Sequence, residues 1–408
     1  MENNTLHTLN IFTLKGQIQN YAWGGKKFIS KLLKTRISGK KAAEYWLGAH
    51  AKAPSVIKTS VGSQFLDGFL KRNLKKCLGK RVARKFGRLP FLLKVLDVKK
   101  MLSIQVHPSK KNAEKGFRYE NMIGVPLTAS YRNYKDDNHK PEIMVALSEF
   151  WLLHGFLPKE ELLKRLKSTP EFLHLVNVFE TEGYYGLYKN VMEKNSKEVN
   201  SILKPLLKRI MPLYAQGKLD KTNPDYWAAK ALKELSKGTS LDKGIFSIYF
   251  FNIMRVNKGE AVYQKAGMPH AYLEGQNIEL MANSDNVLRG GLTQKHVDVI
   301  ELLENITFEE TIPQVLHGNL QENGLESVFE TEAKDFELSK IDIKTEKTYK
   351  AKARSVEIVI AIEGKVTIVE RKSSLVLKKG GAAFFKAGSI YEIKAEKNAV
   401  LYKAKVPF

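Results

Sequence analysis

The amino-acid sequence predicts a mainly β protein with a helical insertion, organised as two jelly-roll barrels plus an α-helical domain. Apolar runs broken by Gly, Pro and Asn, which are typical of short strands and turns, fill residues 1–157 and return after residue 240. Residues 158–240 instead repeat their apolar side chains every three or four positions, as amphipathic helices do. A thirteen-residue stretch of the second half recurs near the C-terminus, which indicates a duplicated barrel.

The composition is that of a folded protein with more than one domain. The chain has 408 residues, of which 43% are hydrophobic and 10% aromatic. No apolar run reaches the roughly 18–20 residues of a membrane span, and the first residues lack the features of a signal peptide. The single cysteine, Cys77, excludes an intramolecular disulfide and fits a reducing compartment. We therefore expect a cytoplasmic protein without a membrane partner, and a monomer.

The formal net charge of +24 raises the question of an anionic macromolecular partner. Residues 71–100 hold twelve Lys or Arg against one acid, Asp97. One interpretation is a surface for nucleic acid or membrane, and the other is a solvated basic face on a short helix. The segment lacks the interleaved aromatic residues of a single-strand binder and any known nucleic-acid motif. We favour the solvated face and expect no nucleic-acid partner.

The order of the elements follows from the same patterns. Residues 1–157 are assigned to the first part of one barrel, and residues 158–240 to the helical insertion, with segments such as KEELLKRLKS and YWAAKALKELSKG. Strand patterning resumes at GIFSIYFFNIMRV, within residues 241–320, which complete that barrel and include one helix near LTQKHVDVIELLENI. Residues 321–408 are assigned to the C-terminal barrel.

A repeat links the two barrels. Lys258–His270 reads KGEAVYQKAGMPH, and Lys379–Tyr391 reads KGGAAFFKAGSIY, at a constant offset of 121 residues. Each copy suits a strand, a glycine-bearing turn and the start of the next strand, a pattern that suggests the paired jelly-roll barrels of cupins. Tyr391 stands where the first copy has His270. If His270 is a metal ligand, the C-terminal barrel has lost it, and that barrel is expected to be metal-free.

The segment LSIQVHP, residues 102–108, carries polar side chains on one face of a strand. Ser103, Gln105 and His107 point to the same side because successive strand side chains alternate. Glu142 and His270 each follow a proline and enter a strand-like run. Gln105, His107, Glu142 and His270 together form a nitrogen and oxygen set that suits a borderline divalent metal. Spacing alone does not bring these distant residues together.

Six motifs, in this order, closely resemble those of the type I phosphomannose isomerase family, over about residues 15 to 310. They are QNYAWGG, AEYWLGAH, LPFLLKVL, LSIQVHPSKKNAEKGF, NHKPEIMVAL and PHAYLEGQNIELMANSDNVLRGGLTQK. The resemblance implies one Zn²⁺ per chain, bound by all four residues of the set above. It also makes the arginine of SDNVLR, Arg289, the catalytic arginine. The departures, a high lysine content and Gly290-Gly291 after that arginine, touch no ligand.

The resemblance further implies that the protein interconverts mannose 6-phosphate and fructose 6-phosphate through a cis-enediolate. This reaction needs a base, charge stabilisation at the sugar oxygens and an anchor for the phosphate. We assign catalytic roles to Arg289, Lys140 and Asp285. We assign substrate-binding roles, including contacts to the phosphate dianion, to the side chains of Ser103, Lys94, Glu279 and Lys295.

Alternatives remain beside these roles. Asp285 could belong to an Asx turn, Glu279 could point outward, and Lys94 and Lys295 could be ordinary surface lysines. The protein could also be a metal-dependent cupin enzyme of another chemistry, or a basic binding protein without catalytic activity. A different metal without isomerase activity would favour the first of these two classes.

Overall fold

The computed structural model describes residues 10–37, 39–235 and 240–407. The segment before the helical insertion contains nine strands: β1 (Ile11–Lys15), β2 (Gln17–Gln19), β3 (Glu44–Leu47), β4 (Val56–Thr59), β5 (Gly62–Phe65), β6 (Phe91–Val98), β7 (Gln105–Val106), β8 (Glu142–Ala146) and β9 (Phe150–Phe156). It also contains four helices: α1 (Phe28–Leu32), α2 (Leu66–Leu78), α3 (Lys80–Phe86) and α4 (Lys110–Met122). The sequence pointed mostly to strands and turns here, with a short helix only in the basic segment 71–100, so α1 and α4 were not expected.

Along α2 and α3, the basic segment 71–100 forms the solvated basic face that the sequence predicted. The side chains of Lys71, Arg72, Lys75 and Lys76 on α2 are exposed, whereas Cys77 and Leu78 are buried. The helices therefore bury one apolar face and hold their cations in water, which costs no desolvation of charge.

The middle of the chain is helical. Its elements are α5 (Lys159–Ser168), a short 3₁₀ turn (Pro170–Phe172), α6 (Leu173–Glu193), α7 (Ser196–Ala215), α8 (Pro224–Leu235) and α9 (Gly244–Phe250). A capping box starts α7, in which Asn195 accepts from the backbone of Glu198 and the Glu198 side chain accepts from the backbone of Asn195. The helices bury their apolar stripes in one core with the outer face of β9, which contributes Trp151 and Leu153.

One predicted element is wrong in this region. The sequence GIFSIYFFNIMRV was expected to be strand throughout, but its first seven residues form α9. Every residue of α9 is buried, so its apolar residues show no helical period. Periodicity alone cannot separate a fully buried helix from a buried strand, which explains the error.

The first barrel is completed by β10 (Phe251–Val256), β11 (Ala261–Gln264), β12 (His270–Ala282), β13 (Leu288–Arg289) and α10 (Val299–Asn305). The long strand β12 forms the centre of this ten-stranded sheet. Its first residues pair with β7 and β9, and its later residues pair with β6 and β8. The change of partner occurs at a bulge before Gly275, whose φ of 132° is readily adopted only by glycine.

The C-terminal part forms a second barrel. Its strands are β14 (Asn319–Leu320), β15 (Glu326–Phe329), β16 (Glu337–Ile343), β17 (Thr348–Lys352), β18 (Glu357–Glu363), β19 (Lys365–Glu370), β20 (Ser373–Lys378), β21 (Ala382–Phe385), β22 (Ile390–Ala395) and β23 (Ala399–Lys405). A nine-stranded sheet, which β1, β4 and β5 join at one side, faces a four-stranded sheet. The predicted fold class is confirmed, whereas the exact domain boundaries stay predictions.

The two copies of the repeat occupy equivalent places. The first runs through β11 and a turn into β12, and the second runs through β21 and a turn into β22. The turn glycines, Gly267 and Gly388, have positive φ angles of 79° and 88°. His270 and Tyr391 therefore both lie at the beginning of the strand that follows. No helix in the described ranges is long and apolar enough to cross a bilayer.

Candidate metal centre

Three of the four predicted metal ligands meet inside the first barrel. Candidate ligand atoms of His107, Glu142 and His270 all lie within 4.8 Å of one another. Glu142 opens β8, His270 opens β12, and His107 follows the end of β7. All three side chains are buried, with exposed fractions of 3% or less. Short loops at strand ends thus converge on one point of the barrel interior.

The two imidazoles are oriented by backbone carbonyls. The Nδ1 of His107 donates to the carbonyl oxygen of Asn286 at 2.8 Å, and the Nδ1 of His270 donates to that of Met268 at 2.9 Å. Because a carbonyl only accepts, Nδ1 carries a proton in both rings, and Nε2 is the atom left to bind a metal. These Nε2 atoms lie 3.4 Å from the two carboxylate oxygens of Glu142. Such outer hydrogen bonds typically fix metal-binding histidines.

The donor set fits a zinc ion. The Nε2 of His107 is buried and has no hydrogen-bond partner among the described residues, although an unpaired buried nitrogen is costly. Burial and the Lys140 ammonium lower the pKa of His107 to about 4, so that the ring is a neutral ligand at pH 7. Burial opposes ionisation of Glu142, but Lys140 and His107 hold its pKa well below the usual range. Imidazole nitrogens and a carboxylate are common zinc ligands.

Gln105 lies beside this cluster. On β7 it pairs with His270 of β12 on one side and with Arg289 of β13 on the other. Directly paired residues in antiparallel strands project from the same face of the sheet, so all three share the face of the metal cluster. The role of Gln105 as the fourth ligand stays a prediction.

Lys140 and Lys94 both lie in the interior of the first barrel, where each forms ion pairs with different carboxylates. The Nζ of Lys140 is 3.1 Å from Oε1 of Glu142. The Nζ of Lys94 is 2.9 Å from Oε2 of Glu279 and 3.6 Å from Oε2 of Glu44. Burial disfavours the Lys94 ammonium, but these two carboxylates outweigh it and hold its pKa above the ordinary value. Neither lysine is a surface residue, and Glu279 does not point outward.

Asp285 follows β12 at the edge of the barrel. Its carboxylate lies 2.8 Å from the Nζ of Lys52 and 3.4 Å from Nε2 of His50. Burial raises the pKa of Asp285, but the hydrogen bonds from His50 and Lys52 lower it by more, so the net pKa is below the usual value. The residue is therefore ionised at neutral pH. It borders a cavity of about 700 Å³ that Lys71 and Arg88 also line.

Arg289 forms a positively charged corner with neighbouring lysines. Its guanidinium is half-buried and has no ion pair within the described parts of the chain. Burial lowers the pKa of Arg289, and burial together with Arg289 lowers that of the exposed Lys295. Ser103 is half-buried. It lies close to the segment of Arg289, because the next residue, Ile104, exchanges backbone hydrogen bonds with Gly290 and Gly291. The predicted phosphate contacts Arg289, Lys295 and Ser103 thus lie on adjacent segments.

Two neighbours of the site were missed by sequence reasoning. Asn286 is fully buried, and besides its carbonyl contact to His107 its amide bonds the backbone of Lys135, Asp136 and Asn138. His154 pairs with His270 across β9 and β12. Burial and His270 lower the pKa of His154 to about 3. The signal for His154 was its place in the alternation of β9, where it shares a face with Leu152.

Comparison with known proteins agrees with this geometry. A family model described as phosphomannose isomerase type I, catalytic domain, matches residues 11–159. A protein of Shigella flexneri named mannose-6-phosphate isomerase is 36% identical over 92% of this chain and 94% of its own length. The human protein of the same name is 31% identical over 97% of this chain and 98% of its own.

Solved structures extend the likeness to the whole fold. Mannose 6-phosphate isomerase from Salmonella typhimurium, bound to substrate (fructose 6-phosphate) and zinc, has a TM-score of 0.88 at 32% identity. The alignment covers 98% of this chain and 100% of that one. A zinc-bound structure of mannose 6-phosphate isomerase gives a TM-score of 0.87 with the same identity and coverage. With the metal cluster, the motifs and this coverage in agreement, the chain belongs to the type I phosphomannose isomerase family.

Proposed function

We propose that this protein is a zinc-dependent isomerase that interconverts D-mannose 6-phosphate and D-fructose 6-phosphate through a cis-enediolate. The buried cluster of His107, Glu142 and His270, with its unpaired imidazole nitrogen, carries the proposal. Membership of the family supports it, since a relative of known structure is described as bound to fructose 6-phosphate and zinc. These three residues, together with Gln105, would hold one zinc ion. When bound, zinc would polarise the sugar oxygens as a Lewis acid.

The residues around the cluster supply the other requirements of proton transfer between C1 and C2. Arg289 stays charged at any working pH and can stabilise the negative charge of an enediolate. Lys140 presents its ammonium beside Glu142, where it can donate to a sugar oxygen. Asp285 is ionised between Lys52 and His50, so it can orient a base or a substrate hydroxyl, while its lowered pKa makes it a weak proton acceptor and leaves it no proton to donate at neutral pH.

Substrate binding divides between two regions of the site. We assign the phosphate to the corner of Arg289, Lys295 and Ser103, because Arg289 has no carboxylate partner among the described side chains and a dianion would satisfy it. Lys94 and Glu279 lie inside the barrel, and Lys94 is already balanced by two carboxylates. We therefore propose that these two residues contact sugar hydroxyls rather than the phosphate.

A coupled assay tests the function. The full-length protein is treated with a chelator, and mannose 6-phosphate is offered before and after zinc is restored. We expect turnover to vanish with the metal and return with it. Full metal content without turnover would favour a cupin enzyme of another chemistry. A protein that neither binds zinc nor turns over the substrate would be the basic binding protein of the second alternative.

We further propose that the protein is a monomer and works in the cytoplasm. The single cysteine supports a reducing compartment, and no helix within the described ranges can span a membrane. Light scattering during size-exclusion chromatography would measure the oligomeric state, and a mass of twice 46.3 kDa would contradict the monomer.

A further inference from the structure

The second barrel buries charged side chains at one end of its interior. Glu326 on β15, Glu357 on β18 and Lys403 on β23 are exposed by only 6%, 2% and 2%. Tyr349 on β17 and Tyr391 on β22 are buried across from them. Each buried charge loses its hydration, and apolar replacements of such groups are often as stable or more stable. A barrel that serves only as a scaffold has no need of these residues.

These side chains form a hydrogen-bonded network that is not saturated. Lys403 donates to Oε1 of Glu326 at 2.8 Å and to the hydroxyl of Tyr349 at 2.7 Å. Tyr349 donates to the other oxygen of Glu326, and Tyr391 donates to Oε2 of Glu357 at 2.6 Å. An ammonium has three N–H donors. One donor of Lys403 and Oε1 of Glu357 thus find no partner in the part of the chain that the structure describes.

The network forms the floor of a cavity of about 380 Å³. Four cations stand around its rim, namely Lys350, Lys352, Arg354 and Lys405. Lys350 and Lys405 are paired with Glu392 and Glu337. Lys352 and Arg354 form no ion pair with any described residue. Glu330 also lines the cavity, so the rim holds both signs of charge, with Lys352 and Arg354 as its two cations without an ion pair among the described residues. The floor has one free donor and one free acceptor.

The network beneath this cavity includes the counterpart of a predicted metal ligand. Tyr391 occupies the place of His270 in the duplicated segment, directly after the glycine turn. In the first barrel that position faces the metal cluster, and in the second it supports Glu357. None of the residues that line the cavity belongs to the metal cluster or its neighbours.

We propose that the cavity of the second barrel binds a small hydroxylated anion of the sugar-phosphate class. Its hydroxyl groups would bond to Lys403 and Glu357 on the floor, and its phosphate would lie between Lys352 and Arg354 at the rim. The volume falls within the range of about 300–1,000 Å³ that small-molecule sites occupy. The site goes beyond the proposed catalytic function and is independent of zinc.

Hydrogen–deuterium exchange of the zinc-loaded, full-length protein tests this site, with fructose 6-phosphate as the probe. We expect protection in residues 349–357 and 399–406, in addition to any protection around the metal centre. Protection at the metal centre alone would overturn the proposal while leaving the catalytic function intact. Equal protection of the second barrel by inorganic phosphate alone would also overturn it, because hydroxyl recognition would then be absent.

Variants assign the protection to the cavity. Lys403→Met should abolish protection of the second barrel and leave turnover unchanged. Because this change alters a buried network, Arg354→Ser at the exposed rim serves as a second variant that cannot disturb folding in the same way. It should weaken the protection by about tenfold in probe concentration, the loss of one charge-assisted bond. Lys372→Ser, on an exposed turn of the same barrel, is the matched control and should behave as wild type. Unaltered protection in Arg354→Ser would refute the proposed phosphate position.

Discussion

Replacing Arg289 by alanine should separate catalysis from folding. The guanidinium is half-buried, forms no ion pair with the described residues and lies near the like charges of Lys295 and Lys135. Without the guanidinium, the repulsion from these two lysines is relieved, and only the packing of the aliphatic part of the arginine side chain is lost. We therefore expect the free energy of unfolding to change by less than about 1 kcal/mol. The enediolate, in contrast, loses its charge partner. Loss of one such donor costs about 3–4 kcal/mol, or about 10²–10³ in kcat.

Three measurements on one sample test this reasoning. Zinc content should stay at one ion per chain, because Arg289 is not part of the metal cluster. Chemical denaturation should give a nearly unchanged midpoint, and the coupled assay should show the loss of kcat. Arg84→Ala, on the exposed face of α3, controls for the loss of an arginine. Full zinc with unchanged kcat would remove Arg289 from the active site, and a large loss of stability would show that it is structural. Arg289→Lys should restore little, because a point charge cannot replace the planar fork.

Three further predictions concern the metal, its support and the buried thiol. His107→Ala should lose zinc and turnover together in metal analysis and assay, whereas the exposed control His296→Ala keeps both. Asn286→Ala removes the buried amide that bonds the 135–138 backbone beside His107, so a chelator competition should show zinc affinity about 10–100-fold lower. Burial raises the pKa of Cys77 to about 11, so the native thiol keeps a proton that the unfolded thiol loses above about pH 8.5. The free energy of unfolding should therefore fall as pH rises from about 8.5 towards 11, and denaturation of Cys77→Ala should lack this component.

Sequence reasoning identified the metal cluster because its residues lie in short motifs at strand ends. The strand alternation of LSIQVHP placed Gln105 and His107 on one face, and the prolines before Glu142 and His270 marked where two other strands begin. The family resemblance then joined four positions that spacing could not join. The structure brings three of them together, and the fourth is their direct neighbour.

The contacts of each side chain could not be predicted as well from the sequence, because they depend on which residues the strand register brings opposite each other. Lys94 faces Glu279 only because β6 pairs with β12 at that register, across 185 residues of sequence. Nothing in LPFLLKVL reveals that partner, so Lys94 seemed available for phosphate. The contact of His154 with the site could not be predicted for the same reason, since its neighbour His270 comes from a distant strand. The basic segment was interpreted as the solvated face of a short helix, and the structure forms two helices there, α2 and α3, whose lysines and arginines lie in water.

The charges inside the first barrel explain why the metal and the substrate belong together. Glu44, Glu279 and Glu142 face the ammonium groups of Lys94 and Lys140, which leaves an excess of one negative charge among these five buried groups. A divalent ion would turn that excess into one positive charge, and Arg289 and Lys295 add two more positive charges at the edge of the barrel. The charges of Arg289 and Lys295 match the dianion of a sugar phosphate. A buried charge is tolerated only when it is compensated nearby, so the excess negative charge of the interior favours a divalent ion there, and the cations at the edge favour the phosphate.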